Sequence, residues 1–482
     1  MSRSIFDHAL QSPGRTAVIR DRTPITYLAF AQRIEAARRH LARQRLKPRA
    51  VAVLCVKDVV DTWVLALALQ SLGQTTVAIP EAHIIPQLAL RDIAGLVVSG
   101  AEDIPSLPPG DAVRLVRVPV DVLAGALGEA EGDAPASRSP AGRLMLTSGT
   151  TGVIKKVLIE PSTEELQVQR RVALYQLTQE SVVNVFDWGP WSSVGLIVPL
   201  AAWSVGGAFE VAQPAASGGF AGTFTHAVAT PTMLQRLLAD PAQRPWPGAP
   251  RLWVTGSALS PAVAADTLAR LTPNVVQSVA STEVGVWTAT PIEKPADVAS
   301  HLPIPGRVVQ VADDGGAPLP VGVVGRVRVD TLPGVAGYHE DPESTRAWFQ
   351  DGYFYTGDLG VFGEDGRLTL KGRVSDVVVV GEHKIAAETI EGVVQARFPG
   401  KTVAAFATPG AGGEELHLVF EGRPRPPVEA LKALVAAELM HFPKVHFHVV
   451  DTLPRNDRGK LQRFVLKQRI LAEWTPPAPA DA

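Results

Sequence analysis

The sequence predicts a mixed α/β protein with a large N-terminal domain and a smaller C-terminal domain. Its 482 residues exceed what one ordinary core accommodates, so two or more domains are expected. In the first third, helix-like and strand-like patterns alternate, which favours parallel strands with crossover helices. From about residue 305 the pattern changes to short β segments, and near residue 374 it changes again to a small α+β unit.

Apolar periodicity predicts the individual elements. Apolar residues recur at three- and four-residue steps from Tyr27 to Leu41, after Thr26, which is typical of a helix with a hydroxyl N-cap. The runs that follow are Val51–Val56, Val59–Leu72, Thr75–Ile79 and Leu96–Ser99. Later β segments lie in RVVQVAD, GRVRVD, YFYTGDLG and RLTLKGR, and the C-terminal unit has a helix-like pattern across Val428–Met440.

Charge and cysteine content exclude several classes of function. Lys and Arg total 46 against 48 Asp and Glu, so no basic excess exists to hold a nucleic acid or an anionic membrane. Cys55 is the only cysteine, which excludes disulfides within the chain, Cys-rich zinc sites and a dithiol redox centre. It lies in the apolar run AVAVLCV, where we expect it to pack in the core.

One uncharged stretch approaches the length of a membrane span. From Trp188 to Phe209, roughly 20 residues carry no charge. Glycines and prolines interrupt the stretch and its tryptophans are scattered, which favours a buried, pocket-lining segment. The N-terminus lacks the apolar run of a signal peptide. We therefore expect a cytoplasmic protein that binds neither a membrane nor nucleic acid.

The strongest local signal is a run of hydroxyl residues and glycines followed by lysines. Its members are Thr147, Ser148, Gly149, Thr150, Thr151 and Gly152, with Lys155 and Lys156 after them. Glycines let successive N–H groups face one anion, and the hydroxyls and the mobile positive charge of Lys155 suit phosphate oxygens. A phosphate-binding loop is predicted, with a flexible polar linker as the alternative. The glycine–lysine–hydroxyl ending of a Walker loop is missing.

Two further motifs carry charged side chains at turns. Asp358 follows a glycine turn in YTGDL, where it could accept two hydrogen bonds from a ribose diol, and Arg373 follows after a hairpin. The alternative is a turn with a capping aspartate. Lys460 lies in the basic turn NDRGKLQR near the C-terminus, and a solvated lysine is the alternative there.

Together with Ser281-Thr282-Glu283, these motifs in this order resemble the adenylate-forming superfamily. Its members are acyl-CoA synthetases, aryl-acid ligases, luciferase-like enzymes and peptide-synthetase adenylation domains. The resemblance extends from the helix near residue 26 to Lys460. It implies that residues 1–373 form an N-terminal domain of two α/β layers plus a small β-barrel. Residues 374–482 would form a smaller, mobile C-terminal α+β lid domain with a disordered tail.

The resemblance also implies ATP and Mg²⁺ as cofactors. Thr147–Gly152 and Lys155 are similar to the loop that holds the β- and γ-phosphates of ATP. Thr282 and Glu283 are similar to a pair in which the glutamate helps to bind Mg²⁺ and the threonine contacts a phosphate. Glu283 is thus the implied metal ligand and one of the implied catalytic residues.

Other residues are implied to bind the remaining parts of the substrates. Gly256 and Ser257 resemble a stretch that edges the adenine and the acyl pocket. Asp358 resembles the ribose-binding carboxylate and Arg373 its catalytic partner. Lys460 resembles the catalytic lysine that bridges the substrate carboxylate and the α-phosphate.

The implied reaction is ligation of a carboxylic acid to a thiol through an acyl-AMP, with release of pyrophosphate. A carboxylate is already a nucleophile, so its attack on phosphorus needs charge compensation rather than a general base. The implied acceptor is the phosphopantetheine thiol of CoA or of an acyl carrier protein. A nucleotide-binding protein that no longer catalyses is the alternative, motivated by Ile154 and Val279 at positions usually held by proline and an adenine-stacking aromatic residue.

Two departures from the family's pattern concern the hinge of the lid and the binding of the thiol. The hinge position after Arg373 is Ser375, and the neighbouring Asp376 could replace it. Glu382 occupies a position at which a glycine of acyl-CoA synthetases lines the pantetheine tunnel. A carboxylate there favours a carrier protein over the polyanionic CoA, unless the loop is shifted by one residue and Gly381 serves instead.

The acyl pocket is predicted from residues near the phosphate and adenine motifs. Its candidate members are Trp188, Trp191, Val254, Val279 and Ala280. The tryptophans favour an aromatic or otherwise apolar carboxylic acid, with packing in the core as their alternative role.

Overall fold

The computed structural model describes most of the chain in alternating helices and strands. The described residues are 2–48, 50–100, 113–126, 141–148, 154–186, 188–211, 223–241, 243–331, 335–380, 383–410, 413–438, 444–455 and 461–473. The α-helices are α1 Ser2–Gln11, α2 Tyr27–Arg43, α3 Val59–Ser71, α4 Val120–Leu123, α5 Pro161–Tyr175, α6 Ser193–Ser204, α7 Pro231–Ala239, α8 Pro261–Arg270, α9 Pro342–Trp348, α10 Ala387–Arg397, α11 Val428–Glu438 and α12 Arg463–Glu473. Short 3₁₀ helices are Ala82–Leu88, Pro295–Ala299 and Val374–Asp376.

The five sheets of the described ranges are built from the following strands. They are β1 Thr16–Arg20, β2 Thr23–Thr26, β3 Val51–Leu54, β4 Thr75–Ala78, β5 Ile93–Ser99, β6 Leu115–Val118, β7 Arg143–Ser148, β8 Ile154–Ile159, β9 Val182–Asn184, β10 Ala208–Val211, β11 His226–Ala229, β12 Arg251–Val254, β13 Val275–Ser281, β14 Gly285–Ile292, β15 Val309–Ala312, β16 Gly325–Asp330, β17 Phe349–Gln350, β18 Tyr353–Phe362, β19 Leu368–Arg373, β20 Val377–Val380, β21 His383–Ala386, β22 Val403–Gly410, β23 Gly413–Glu421 and β24 Val445–Val450.

The chain folds into two compact units. Unit 1 contains Met1–Ser148, Ile154–Val298 and Thr331–Gly352. Unit 2 contains Ala299–Asp330 and Tyr353–Ala482. The domain boundary predicted after residue 373 lies inside unit 2 and stays a prediction.

Unit 1 contains two large sheets whose inner strands are parallel. The eight-stranded sheet has the order β14-β13-β12-β11-β9-β10-β1-β2, with antiparallel pairs only at its two ends. The six-stranded sheet has the order β6-β5-β3-β4-β7-β8, and β7 and β8 form its antiparallel hairpin. Helices pack on these sheets because buried parallel strands expose apolar side chains on both faces.

Local sequence explains where the helices of unit 1 begin. Oγ1 of Thr26 accepts a hydrogen bond from N of Ala29 at 3.2 Å and caps α2, and Asp58 caps α3 in the same way. The two helices pack against each other, and an aromatic cluster fills the core between α2, α3, α6 and β10. Its members are Phe30, Trp63, Trp203 and Phe209.

Unit 2 is built from smaller sheets. Strands β15, β16, β18 and β19 form an antiparallel sheet in that order. Strands β20 and β21 form a hairpin, and β22, β23 and β24 form a three-stranded sheet on which α10 and α11 contribute to an apolar core.

The predicted fold class is confirmed, since two α/β sheets precede a β-rich region and a small α+β region. The helix predicted from Tyr27 and the four later β segments form as expected. Cys55 is buried, as its apolar surroundings predicted. The uncharged stretch from Trp188 forms α6 and β10, and none of the helices in the described ranges is long and apolar enough to cross a bilayer.

A buried chain of hydrogen bonds crosses the three-stranded sheet of unit 2. Nε2 of His417 lies 2.9 Å from Oγ1 of Thr408, and its Nδ1 lies 3.0 Å from Nε2 of His448. The ring of His417 is fully buried and stacks on Phe406. Burial is the main cause that lowers the pKa of His417 to about 3, and the charges of His446 and His448 lower it further.

We expect the free energy of unfolding to fall as the pH drops below about 6.5. His417 stays neutral in the folded protein until about pH 3, whereas an unfolded histidine binds a proton near about pH 6.5. Such a group contributes a slope of up to about 1.4 kcal/mol per pH unit. In urea titrations at several pH values, His417→Gln should reduce this slope, and substitution of the exposed His83 by glutamine should not. Equal slopes in the two variants would contradict the prediction.

Candidate active site

Four parallel strands of unit 1 end at one edge of the eight-stranded sheet. Strands β9, β11, β12 and β13 are parallel neighbours, so the segments that follow them start at the same edge. These segments carry Trp188, Thr230, Gly256 and Thr282. In open α/β sheets, ligands bind in the crevice outside the carboxyl ends of the strands. Trp188, Gly256 and Thr282 therefore lie at the edge where open α/β sheets bind ligands, and their roles stay predictions.

Gly256 and Trp188 contact each other at this edge. Gly256 has φ of +95°, a conformation that favours glycine. A Cβ built on it would lie 3.4 Å from Cη2 of Trp188 and 3.4 Å from Cγ2 of Thr230. Gly256 is exposed, whereas the ring of Trp188 and the side chain of Val254 are buried. The exposed backbone of Gly256 thus lies next to the buried ring of Trp188, and binding of adenine or an acyl group there stays a prediction.

The other predicted pocket residues have different surroundings. Val279 is half-buried, and its N–H donates to Oγ1 of Thr288 at 3.0 Å. A β-bulge follows it, and Ala280 is exposed. The half-buried ring of Trp191 packs on Gly189. Assignment of these residues to an acyl pocket stays a prediction.

Lys155 lies on β8, beside the predicted phosphate loop. It is opposite Thr147 in the β7–β8 hairpin, and Ser148 is opposite Ile154. Nζ of Lys155 lies 4.9 Å from the ring centroid of Tyr338 and 4.6 Å from that of Trp348.

The surroundings of Lys155 explain its electrostatics. Its side chain is 8% exposed, and this burial lowers its pKa, while the charges of Asp341 and Glu283 act in the opposite direction. The sequence predicted a mobile side chain for Lys155. In the structure, its ammonium group packs against the rings of Tyr338 and Trp348.

Lys156 stands where the resembling family usually has glycine, and the structure gives it a structural role. Its Nζ donates to the carbonyl of Leu88 and, at 3.3 Å, to that of Ala89. These are the last carbonyls of the 3₁₀ helix Ala82–Leu88. A cation that satisfies carbonyls at the end of a helix stabilises it, so Lys156 connects β8 to the end of this 3₁₀ helix.

Glu283 lies in the tight turn between β13 and β14. Its carboxylate is 6% exposed, and Oε1 accepts a hydrogen bond from the hydroxyl of Tyr338 at 2.8 Å. Burial and the charge of Glu283 raise the pKa of Tyr338, so the hydroxyl keeps its proton and remains a donor. The structure therefore brings Lys155 and Glu283 to the same tyrosine, the lysine to its ring and the glutamate to its hydroxyl.

The carboxylate of Glu283 suits Mg²⁺ by its donor chemistry. Mg²⁺ prefers oxygen ligands and is commonly bound by one or two carboxylates together with substrate phosphates. Within the described part of the chain, no group of three or more His, Cys, Asp or Glu side chains is arranged to hold a metal ion. Glu283 would be the carboxylate that, together with nucleotide phosphates, holds the ion.

Asp358 and Arg373 form an ion pair in unit 2. The two residues are directly opposite on β18 and β19, with 3.1 Å between Nε of Arg373 and Oδ1 of Asp358. Arg373 also donates to the carbonyl of Thr356 at 2.7 Å. The glycine turn predicted before the carboxylate is wrong, because Gly357 lies inside strand β18. Its φ of +78° occurs where the register between β16 and β18 shifts, which is typical of a β-bulge. The partnership predicted from the sequence is present in the structure.

Several predicted residues lie outside the described residues: Gly149, Thr150, Thr151, Gly152, Gly381, Glu382 and Lys460. Their flanking residues are paired, however. Ser148 and Ile154 are opposite in a hairpin, and Arg455 and Leu461 form a β-bridge.

Sequence reasoning missed Tyr338 and Trp348. Tyr338 reaches the site because its backbone bridges to Val157 of β8, and N of His339 donates to O of Lys156 at 2.7 Å. The sequence offered only a weak signal for Tyr338, namely its position shortly before the Asp-Pro pair that starts α9.

Comparison with known proteins identifies the family. The sequence model described as AMP-binding enzyme matches residues 5–339. The chain belongs to the AMP-binding enzyme family. This confirms the resemblance to adenylate-forming enzymes.

Relatives of this AMP-binding enzyme include ligases with two kinds of acceptor. Probable CoA ligase CCL9 of Humulus lupulus is 30% identical over 357 residues, which cover 68% of this chain and 66% of that protein. The fatty acid–[acyl-carrier-protein] ligase ScoC of Streptomyces coeruleorubidus is 26% identical over 358 residues, covering 68% of this chain and 67% of that protein. The chain thus spans about two thirds of the length of these relatives.

A solved structure shows the same fold over nearly the whole chain. O-succinylbenzoate coenzyme A synthetase (MenE) from Bacillus subtilis, in complex with ATP and magnesium ion, matches with a TM-score of 0.80 at 20% identity. The match covers 96% of this chain and 99% of that chain.

Proposed function

We propose that this AMP-binding enzyme is an ATP-dependent acid–thiol ligase. It activates an aromatic or apolar carboxylic acid as an acyl-AMP and passes the acyl group to a phosphopantetheine thiol. The observation that carries the proposal is that buried Lys155 and buried Glu283 both contact Tyr338. A cation and a carboxylate at one place suit a metal–triphosphate. Relatives named as CoA and acyl-carrier-protein ligases support it.

The proposed reaction has two steps. A carboxylate oxygen of the acid attacks the α-phosphorus of ATP, the bond to the bridging oxygen breaks, and pyrophosphate leaves. The thiol then attacks the acyl carbonyl, loses its proton, and AMP leaves with the bonding electron pair. Mg²⁺, when bound, supplies charge compensation on the phosphates.

Each step uses particular residues of the chain. The triphosphate would be held by Lys155, by the hydroxyls from Thr147 to Thr151 and, through the metal, by Glu283. Asp358 would accept the ribose hydroxyls, and Arg373 would hold Asp358 in place. Lys460 would stabilise the charge that develops between the carboxylate and the α-phosphate.

Acid-dependent exchange between ATP and pyrophosphate tests the first step. Incubation with labelled pyrophosphate and a panel of aryl, fatty and dicarboxylic acids should give label in ATP with at least one aryl or fatty acid and none without acid. Tight, Mg²⁺-dependent ATP binding with no exchange across the whole panel would contradict catalysis and favour a protein that only binds nucleotide.

The acceptor is proposed to be a carrier protein rather than free CoA. Glu382 would lie at the mouth of the pantetheine tunnel, and its carboxylate repels the phosphates of CoA more than it repels a docked protein. We expect Glu382→Gly to raise kcat/KM for free CoA by about tenfold, equivalent to about 1.4 kcal/mol. kcat/KM for holo-carrier protein should change little.

The measurement uses enzyme preloaded with acid and ATP, offered either CoA or a panel of holo-carrier proteins. Glu364→Gly, which removes an exposed carboxylate in the β18–β19 hairpin, is the matched control. Efficient transfer to CoA by the wild type, not improved by Glu382→Gly, would remove the carrier-protein preference.

A further inference from the structure

Tyr338 connects the two charged groups that the proposed function assigns to the metal–triphosphate. Its hydroxyl donates to Oε1 of Glu283 at 2.8 Å, and its ring centroid lies 4.9 Å from Nζ of Lys155. Glu283 and Tyr338 are separated by 55 residues along the chain, so the contact depends on the tertiary fold. Both side chains are buried, so water cannot replace the hydroxyl without rearrangement.

The position of Tyr338 is fixed by its backbone. Tyr338 bridges to Val157 on β8, and its N–H donates to Oγ1 of Thr345 in α9 at 2.9 Å. Asp341 caps α9 by accepting a hydrogen bond from N of Ser344 at 2.9 Å. The ring also packs edge-on against Phe349, with 5.4 Å between ring centroids. A rigid support of this kind is what a residue needs to orient another side chain.

We propose that Tyr338 is a positioning residue that orients the carboxylate of Glu283 toward Mg²⁺ bound with ATP. This inference rests on the proposed function. Glu283 lies in a tight turn, where its side chain alone has several rotamers. A hydrogen bond to one oxygen selects one rotamer and removes the entropy cost of ordering the carboxylate when the metal arrives. Tyr338 itself touches neither substrate nor metal.

The test removes the hydroxyl and keeps the ring. We expect Tyr338→Phe to raise the Mg²⁺ concentration needed for half-maximal ATP binding by about 10–100-fold, the usual effect of losing a group that orients a metal ligand. At saturating Mg²⁺, ATP affinity should return close to the wild-type value. Calorimetric titration of ATP at stepped Mg²⁺ concentrations measures both quantities on the full chain without turnover.

Tyr175→Phe is the matched control. The Tyr175 hydroxyl is also buried and accepts a hydrogen bond from Nη1 of Arg171 at 2.8 Å, but Tyr175 lies on α5 and has no assigned role in binding. This variant should lower thermal stability and leave the Mg²⁺ dependence unchanged.

Three results would overturn the inference. In the first, Tyr338→Phe has the Mg²⁺ dependence of the wild type. In the second, both variants shift it equally, which would indicate a general loss of stability. In the third, the wild type binds ATP without any Mg²⁺ dependence, which would overturn the proposed role of Glu283 as well. The first result leaves the proposed function intact, so the two failures can be told apart.

Discussion

Replacing Lys460 with alanine should lower acyl-AMP formation by about 10²–10³-fold, the scale for losing one preorganised donor in a transition state. The lysine is expected to compensate the charge of two anions only while the acid attacks the α-phosphate. Thioester formation from supplied acyl-AMP should change much less, because the lid is expected to turn and withdraw the lysine. Pre-steady-state measurement of the two half-reactions separates these effects.

The ends of the segment that carries Lys460 are anchored within unit 2. N of Gln462 donates to O of Pro454 at 2.8 Å. Arg463 pairs with Glu391 at 2.7 Å and with Asp376 at 3.3 Å. The substitution should therefore leave the surrounding structure in place. Lys432→Ala, at an exposed lysine on α11, serves as the control and should affect neither half-reaction.

Equal losses in both half-reactions for Lys460→Ala would contradict its assigned role. They would indicate a folding defect or a lysine that serves both steps. If Lys460→Ala formed acyl-AMP at the wild-type rate, Lys460 would be a solvated basic residue with no part in adenylation.

Replacing Asp358 with alanine should raise the Michaelis constant for ATP by about 10–100-fold and leave that for the acid nearly unchanged. A charge-assisted hydrogen bond contributes about 1.5–3 kcal/mol, and about 1.4 kcal/mol corresponds to a factor of ten. The side chain is paired with Arg373, which keeps its hydrogen bond to O of Thr356 in the variant. Initial rates at varied ATP and fixed acid give both constants.

Asp365→Ala is the matched control for this prediction. Asp365 lies in the turn of the same β18–β19 hairpin, is exposed, and accepts a hydrogen bond from N of Arg367 at 3.1 Å. Its replacement should leave the ATP dependence unchanged. If Asp358→Ala and Asp365→Ala gave the same kinetics as the wild type, Asp358 would serve only as the ion-pair partner of Arg373.

The features that the sequence determined are those with local causes. The helix from Tyr27 follows from a hydroxyl cap and a three- and four-residue repeat of apolar side chains, both of which act within a few turns. The pairing of Asp358 with Arg373 could be predicted from the sequence because a single hairpin joins their strands. The register places the two residues directly opposite each other. The glycine turn expected at Gly357 did not form, because its left-handed φ belongs to an irregularity in the pairing of β18 with β16.

Tertiary structure alone decided which side chains surround these motifs. The order of β9, β11, β12 and β13 in the sheet brings Trp188 to Gly256, although nearly seventy residues separate them in the sequence. Periodicity describes how one element faces the core, but it does not tell which elements become neighbours.

The contacts of Lys155 and Glu283 are the clearest case. The sequence indicated both residues but not that Tyr338 would contact both, nor that Trp348 would complete the packing around the lysine. Burial then changed the chemistry of these groups. It lowers the pKa of Lys155 and raises that of Tyr338, because a low-dielectric interior disfavours the charged form of each. Such shifts exist only once the chain has excluded water from around the groups, so no motif could encode them.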